Sequence, residues 1–125
     1  MKDKLERRDS IKSRLGAVSA IGKVISASKR LEIMVSLMDE AKAFQQIKSI
    51  ISLEKSALSN HLKLLIDQGL VEKKHHGIYS ITYHGYQLLV KLDDLIDETV
   101  EYLLNERELE IRRKFTDTFL NRPKP

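Results

Sequence analysis

Apolar residues over most of this chain recur at steps of three and four, a spacing that gathers them on one face of a helix. Ile11, Leu15, Val18, Gly22 and Ile25 form the first such seam, with Ile21 alongside. Gly16 and Gly22 each weaken that helix by roughly 1 kcal/mol relative to alanine, which favours two shorter pieces. Ser28 is placed to cap the next helix, where Leu31, Met34, Leu37 and Met38 make the inward stripe and the helix ends near residues 39–42. Phe44, Ile47, Ile50 and Ile51 mark a short helix, and Ser52 to Glu54 a tight turn after it. The segment from Lys55 to Gln68 then divides sharply. Wound at about 100° per residue, it sends Leu58, His61, Leu62 and Leu65 to one side and Lys55, Ser56, Ser59, Asn60 and Lys63 to the other.

Gly69 suits the left-handed residue that stops a helix. Beyond it the helical period gives way to two runs rich in β-branched and aromatic residues, Leu70 to Lys74 and Ile78 to Thr82, around a turn at His75, His76 and Gly77. Thr82 is placed to cap a last long helix. There Leu88, Leu89, Leu92, Leu95, Ile96, Val100 and Leu103 share one arc, opposite Asp93, Asp94, Asp97, Glu98 and Glu101. Such a stripe needs a partner. Past Asn105 its phase changes, because Glu106 and Glu110 fall where it would continue and Ile111, Phe115 and Phe119 start a new series, so a bend or second helix is expected. The ending NRPKP is expected to fray. The predicted fold class is mainly α with a small β-hairpin, an α+β arrangement of helix, turn, helix and wing.

That order of parts points to DNA. The apolar side of residues 55–68 docks the helix, while its polar side offers two cations for phosphates and hydroxyl and amide groups for base edges. Charge follows the same division, since residues 1–90 hold 15 Lys and Arg against 9 Asp and Glu, whereas residues 91–125 hold 7 against 9. A chain of 125 residues, 42% apolar, can bury one modest core. With no cysteine in the sequence, disulfides, thiolate metal sites, cysteine nucleophiles and thiol redox sensing are excluded. The charged start lacks an apolar secretory region and no later run approaches the roughly 18 residues of a membrane span, so a cytoplasmic protein is expected.

Three segments taken together resemble the ArsR-like winged helix-turn-helix transcriptional regulators. SKRLEIMVSL at 28–37 is similar to the family's Arg-Leu-x-Ile-Leu helix, SALSNHLKLLIDQGLV at 56–71 to its recognition helix running into Gly-Leu-Val, and GIYSITYHGYQLL at 77–89 to its wing exit. The likeness covers roughly residues 24–92. It implies DNA contacts at Lys55, Ser56, Ser59, Asn60 and Lys63, with Lys73, Lys74, His75 and His76 added by the wing. It also implies a homodimer joined by first and last helices, which would bury Ile11, Leu15, Val18, Ile25, Leu88, Leu92, Leu95, Ile96 and Leu103. The expected layout is then a dimerisation segment at 1–27, a DNA-binding core at 28–83 with its wing at 71–82, and a dimerisation helix and tail at 84–125. The chain departs from the family at Ser52, where glycine is frequent, at Glu54, where a hydroxyl starts the helix, and at Asn60, where arginine commonly precedes the histidine. The short wing lacks the Asp-Arg-Arg element of MarR-type regulators, a related family.

Other chemistry is thinly supported. His61 lies at the edge of the buried side, where packing is its expected role, and the adjacent His75 and His76 point apart at a hairpin tip. His84 and the acidic face of the last helix could in principle hold a metal, but no histidine falls within the Asp93–Glu101 run and a solvated face is the simpler reading. No phosphate loop, nucleophile elbow or zincin spacing is present, so neither an enzyme nor a cofactor is expected. An acidic polar face also argues against a membrane-surface helix. The expected partners are double-stranded DNA and a second copy of the chain, with the effector left unnamed. An alternative class is a winged-helix adaptor with little intrinsic DNA affinity, from which duplex binding near physiological salt would distinguish the regulator.

Overall fold

A computed structural model describes residues 2–120 of the protein. In chain order the elements are α1 (Lys4–Ser13), α2 (Leu15–Ile25), α3 (Ser28–Ser36), β1 (Lys42–Ala43), α4 (Phe44–Ile51), α5 (Lys55–Asp67), β2 (Val71–Lys74), β3 (Ile78–Ile81) and α6 (Tyr83–Leu120). The chain divides into two compact units, residues 1–89 and residues 90–125.

Asp3 starts α1, its carboxylate accepting from the Glu6 N–H at 2.8 Å. The first seam is indeed carried by two helices. They part at Arg14, whose backbone leaves the helical region, and neither glycine marks the break. No residue of α1 is buried, and α2 buries only Val24. The core of the first unit lies instead among Ile33, Met34 and Leu37 of the α3 segment, Ile47 and Ile51 of α4, Leu58, Leu62 and Leu65 of α5, and Leu70, Val71, Tyr79 and Leu89. The sets of α3, α4 and α5 repeat at helical spacing, so one face of each of these helices meets the same interior.

Three local expectations are corrected. Ala27, not Ser28, holds the cap position of α3, and no side chain bonds there. That helix also stops at Ser36, short of residues 39–42, and Met38 points outward. Past that end Lys42, a buried side chain, reaches back with Nζ to the Ser36 carbonyl and to Asp39 Oδ1 at 2.7 Å, giving one of the last carbonyls of the helix a donor. Lys42 stands in β1, a strand the sequence pattern did not reveal. It pairs antiparallel with β3 at Lys42↔Tyr79 and Ala43↔Ile78, so the wing hairpin is two strands of a three-stranded sheet ordered β1-β3-β2.

The recognition segment ends as its glycine suggested. Gly69 has φ +73°, its N–H donates to the Ile66 carbonyl at 2.9 Å and the Leu70 N–H to the Leu65 carbonyl at 2.9 Å, the paired bonds of a Schellman stop. β2 and β3 pair from Val71↔Ile81 to Lys74↔Ile78 around the tight tip His75–Gly77. Thr82 then joins two elements, its hydroxyl donating to the Gly69 carbonyl at 2.7 Å and accepting from the Gly85 N–H at 3.0 Å. At Gly85 the chain passes so close that an added Cβ would overlap the Leu70 carbonyl and lie 2.9 Å from Ile81 Cγ1, so only glycine fits.

From Val90 onward α6 is a continuous helix through residue 120, so no second helix begins near Asn105. The exposed i,i+4 ion pairs Glu108–Arg112 and Glu110–Lys114 span the stretch where the apolar phase shifts, each a small contribution to the helix. The Phe119 side chain and the NRPKP ending lie outside what is described. Among the described residues no helix is long and apolar enough to cross a membrane.

Candidate nucleic-acid interface

The reading helix is set by a helix, a turn and a second helix. α4 opens with the Gln46 side chain accepting from the Ala43 N–H at 2.8 Å and closes at Ser52, a non-glycine residue with φ 58° and ψ 51°. The left-handed turn is thus held by a serine, with strain of roughly 1–2 kcal/mol. The Lys29 Nζ of α3 donates to the Ile51 carbonyl at 3.3 Å and steadies this turn from outside. Glu54 holds the cap position of α5 without a side-chain bond. Its negative charge sits where the helix dipole favours it.

Packing turns α5 unambiguously. Leu58, Leu62 and Leu65 are 0%, 2% and 0% exposed, while Lys55, Ser56, Ser59, Asn60 and Lys63 are all exposed. Among the described residues no hydrogen bond or ion pair engages these five side chains, so their donors and acceptors are available to a partner. The wing presents Lys73, Lys74, His75 and His76, again all exposed. Lys73 Nζ lies 5.7 Å from the Tyr79 ring centroid, and Lys74 Nζ is 3.7 Å from Glu72 Oε1. The first contact stiffens an otherwise free cation; the second is a solvated pair of small energetic weight.

His61, at the boundary of the two faces, packs as expected and also makes a contact that spacing could not reveal. Arg30 Nε donates to His61 Nδ1 at 3.2 Å. Burial, and then the Arg30 charge, holds the imidazole below its ordinary pKa of 6.5 and favours the neutral form that can accept this bond.

Residues expected to pair two chains are mostly uncovered. Ile11, Leu15, Val18, Leu95, Ile96 and Leu103 are exposed, whereas Ile25 and Leu88 pack partly on the core and Leu92 is half-buried. His84 is exposed, edge-on to Tyr83. Asp93, Asp94 and Asp97 bring carboxylate oxygens within 4.8 Å of one another on an exposed face that contains no histidine.

Residues 27–73 match the family described as bacterial regulatory protein, arsR family. The arsenical resistance operon repressor of Bacillus subtilis (strain 168) is 37% identical over 93 residues, 74% of this chain and 78% of that protein. The chain belongs to the ArsR family. Two solved structures share its fold. The transcriptional repressor BigR of Xylella fastidiosa superposes with a TM-score of 0.61 at 22% identity, covering 74% of this chain and 95% of that one. A homodimeric winged helix-turn-helix DNA-binding domain of Mycobacterium bovis, Mb0332, gives 0.62 at 24% identity, covering 82% and 95%. This ArsR-family protein is a winged helix-turn-helix DNA-binding transcription regulator.

Proposed function

We propose that the protein acts as a cytoplasmic homodimer that reads a pseudo-palindromic duplex by binding alone, with no catalytic step. α5 enters the major groove and the wing rests on the flanking backbone. One observation carries this reading: five exposed and uncommitted polar residues on α5 stand directly opposite three leucines sealed in the core. Lys55, Lys63, Lys73 and Lys74 supply the salt-dependent part of the affinity, while Ser56, Ser59 and Asn60 select bases. His75 and His76 extend the backbone contact at the wing tip. Residues 28–83 form the DNA-binding core, and the segments 1–27 and 84–125 join two copies through the exposed apolar seams of α1, α2 and α6. The homodimeric state described for the Mycobacterium bovis domain supports pairing, and the exposed seams supply the surface for it.

Repression is the mode of action that the Bacillus and Xylella relatives suggest. Arsenic relief of the kind suggested by the Bacillus protein's name does not transfer to these residues. Thiophilic ions are held by thiolates, and the sequence contains no cysteine.

Mobility-shift titration tests the assignment of roles. Asn60→Ala is expected to narrow the gap between preferred and unrelated duplexes by about 1–3 kcal/mol. The Lys73→Ala/Lys74→Ala variant is expected to weaken all duplexes alike and lower the salt slope by about 2. Wild-type affinity and slope in the double variant would remove the wing from the interface.

A further inference from the structure

The start of α3 carries two consecutive cations that turn toward other elements. Lys29 reaches the Ile51 carbonyl at the end of α4 and pairs with Glu32 at 3.3 Å. Arg30 reaches further. Its Nε donates to His61 Nδ1 in the middle of α5, and its Nη1 donates to the Lys23 carbonyl in the last turn of α2, where the Ser26 hydroxyl also donates at 3.1 Å. Lys23 belongs to the final carbonyls of that helix, which lack an intrahelical backbone donor and favour a nearby cation. One guanidinium on α3 therefore ties the end of α2 to the centre of α5.

We propose that Arg30 is a positioning residue for DNA reading, fixing the angle of α5 relative to α2 by bridging His61 Nδ1 and the Lys23 carbonyl. The proposal rests on the reading that α5 enters the groove. His61 follows Asn60 directly and precedes Lys63 by two positions, so any shift there is passed to the reading face. Base contacts tolerate only a few tenths of an ångström and a limited range of angle before they weaken. α2 in turn carries Leu15 and Val18 of the proposed pairing seam, so the bridge joins the element that sets the two-fold axis to the element that reads. Arginine suits this task because its planar fork aims Nε and Nη1 at two acceptors at once. Lysine also has several donors, but all on one nitrogen, which cannot stand at the separate positions held by Nε and Nη1.

The test uses the full chain and its best-bound duplex beside an unrelated one, with affinity measured across a salt series for the wild type, Arg30→Lys, His61→Leu, their combination, and His61→Asn. Arg30→Lys and His61→Leu are each expected to weaken the preferred duplex about ten-fold, with the salt slope and the unrelated duplex unchanged. The combined variant should be no weaker than either alone, because both remove one bridge. His61→Asn places Oδ1 where Nδ1 stood and should remain within about three-fold of wild type. Three results would overturn the proposal: wild-type affinity in Arg30→Lys, additive losses in the combination, or a loss in His61→Leu shared equally by both duplexes with a slope reduced by about 1. A wild type without preference for any duplex would instead defeat the groove reading itself, which these variants presuppose.

Discussion

α5 and the distal part of α6 are both amphipathic helices, yet their apolar faces meet different fates. In α5 the leucines at 58, 62 and 65 are sealed beneath α3, α4 and the wing. In α6, Leu95, Ile96, Val100 and Leu103 are 43–56% exposed. Spacing announces that a face will be covered; it does not say whether the chain covers it itself. A contiguous apolar stripe of that length left in water is unfavourable for a monomer, so the first case belongs to folding and the second is where the proposed pairing would act.

The largest effects should fall where folding alone is at stake. Leu58→Ala is expected to cost about 2–5 kcal/mol in chemical denaturation, because a cavity opens in a site with no slack. The contrasting Leu95→Glu/Ile96→Glu variant should leave the winged core folded by circular dichroism while its light-scattering mass falls from dimer to monomer. A mass that stays at dimer size would place the pairing surface elsewhere. Gly85→Ala should be the next most damaging change, about 1–3 kcal/mol, since the new methyl must displace the Leu70 carbonyl at the wing exit.

Smaller effects refine the α5 side of the comparison. The folded protein holds His61 below the ordinary 6.5, so the unfolded chain takes up this proton first. Its contribution to stability is therefore complete above about pH 6.5 and is lost as pH falls through the depressed folded value. Denaturation midpoints for wild type should fall more steeply on acidification than those of His61→Asn, which has no proton to gain; parallel curves would count against the part-buried setting of His61 beside Arg30. Ser52→Gly should raise stability by up to about 1 kcal/mol, since glycine adopts the left-handed turn freely but gives back part of the gain in the unfolded chain.

Much of this fold could be read from the sequence because its helices are long or strongly two-faced. The α5 division, the Gly69 stop, the two wing strands and the Thr82 cap all follow from spacing and turn chemistry within a few residues. β1 could not be found this way. Two residues have no period, and their pairing with β3 spans some 36 positions of sequence. The Lys42 bond to the Ser36 carbonyl at the early end of α3 was hidden for the same reason, because it depends on that side chain folding back into the interior. The continuity of α6 past Asn105 does not follow from apolar phase, which shifts there while the helix runs on and i,i+4 charge pairs line its exposed face. At the reading face, the exposed residues of α5 and the wing were legible. Arg30 was not, because on the sequence it is one more cation on a polar helix face and only the packed structure shows which groups it bridges.

Reading of duplex DNA by a paired α5 is tested most directly by selection of bound duplexes from a random pool by the full chain. The expected result is enrichment of an inverted repeat whose half-sites lie about one helical turn, roughly 34 Å, apart. Recovery of no common sequence, or of a lone half-site without its symmetric mate, would contradict it.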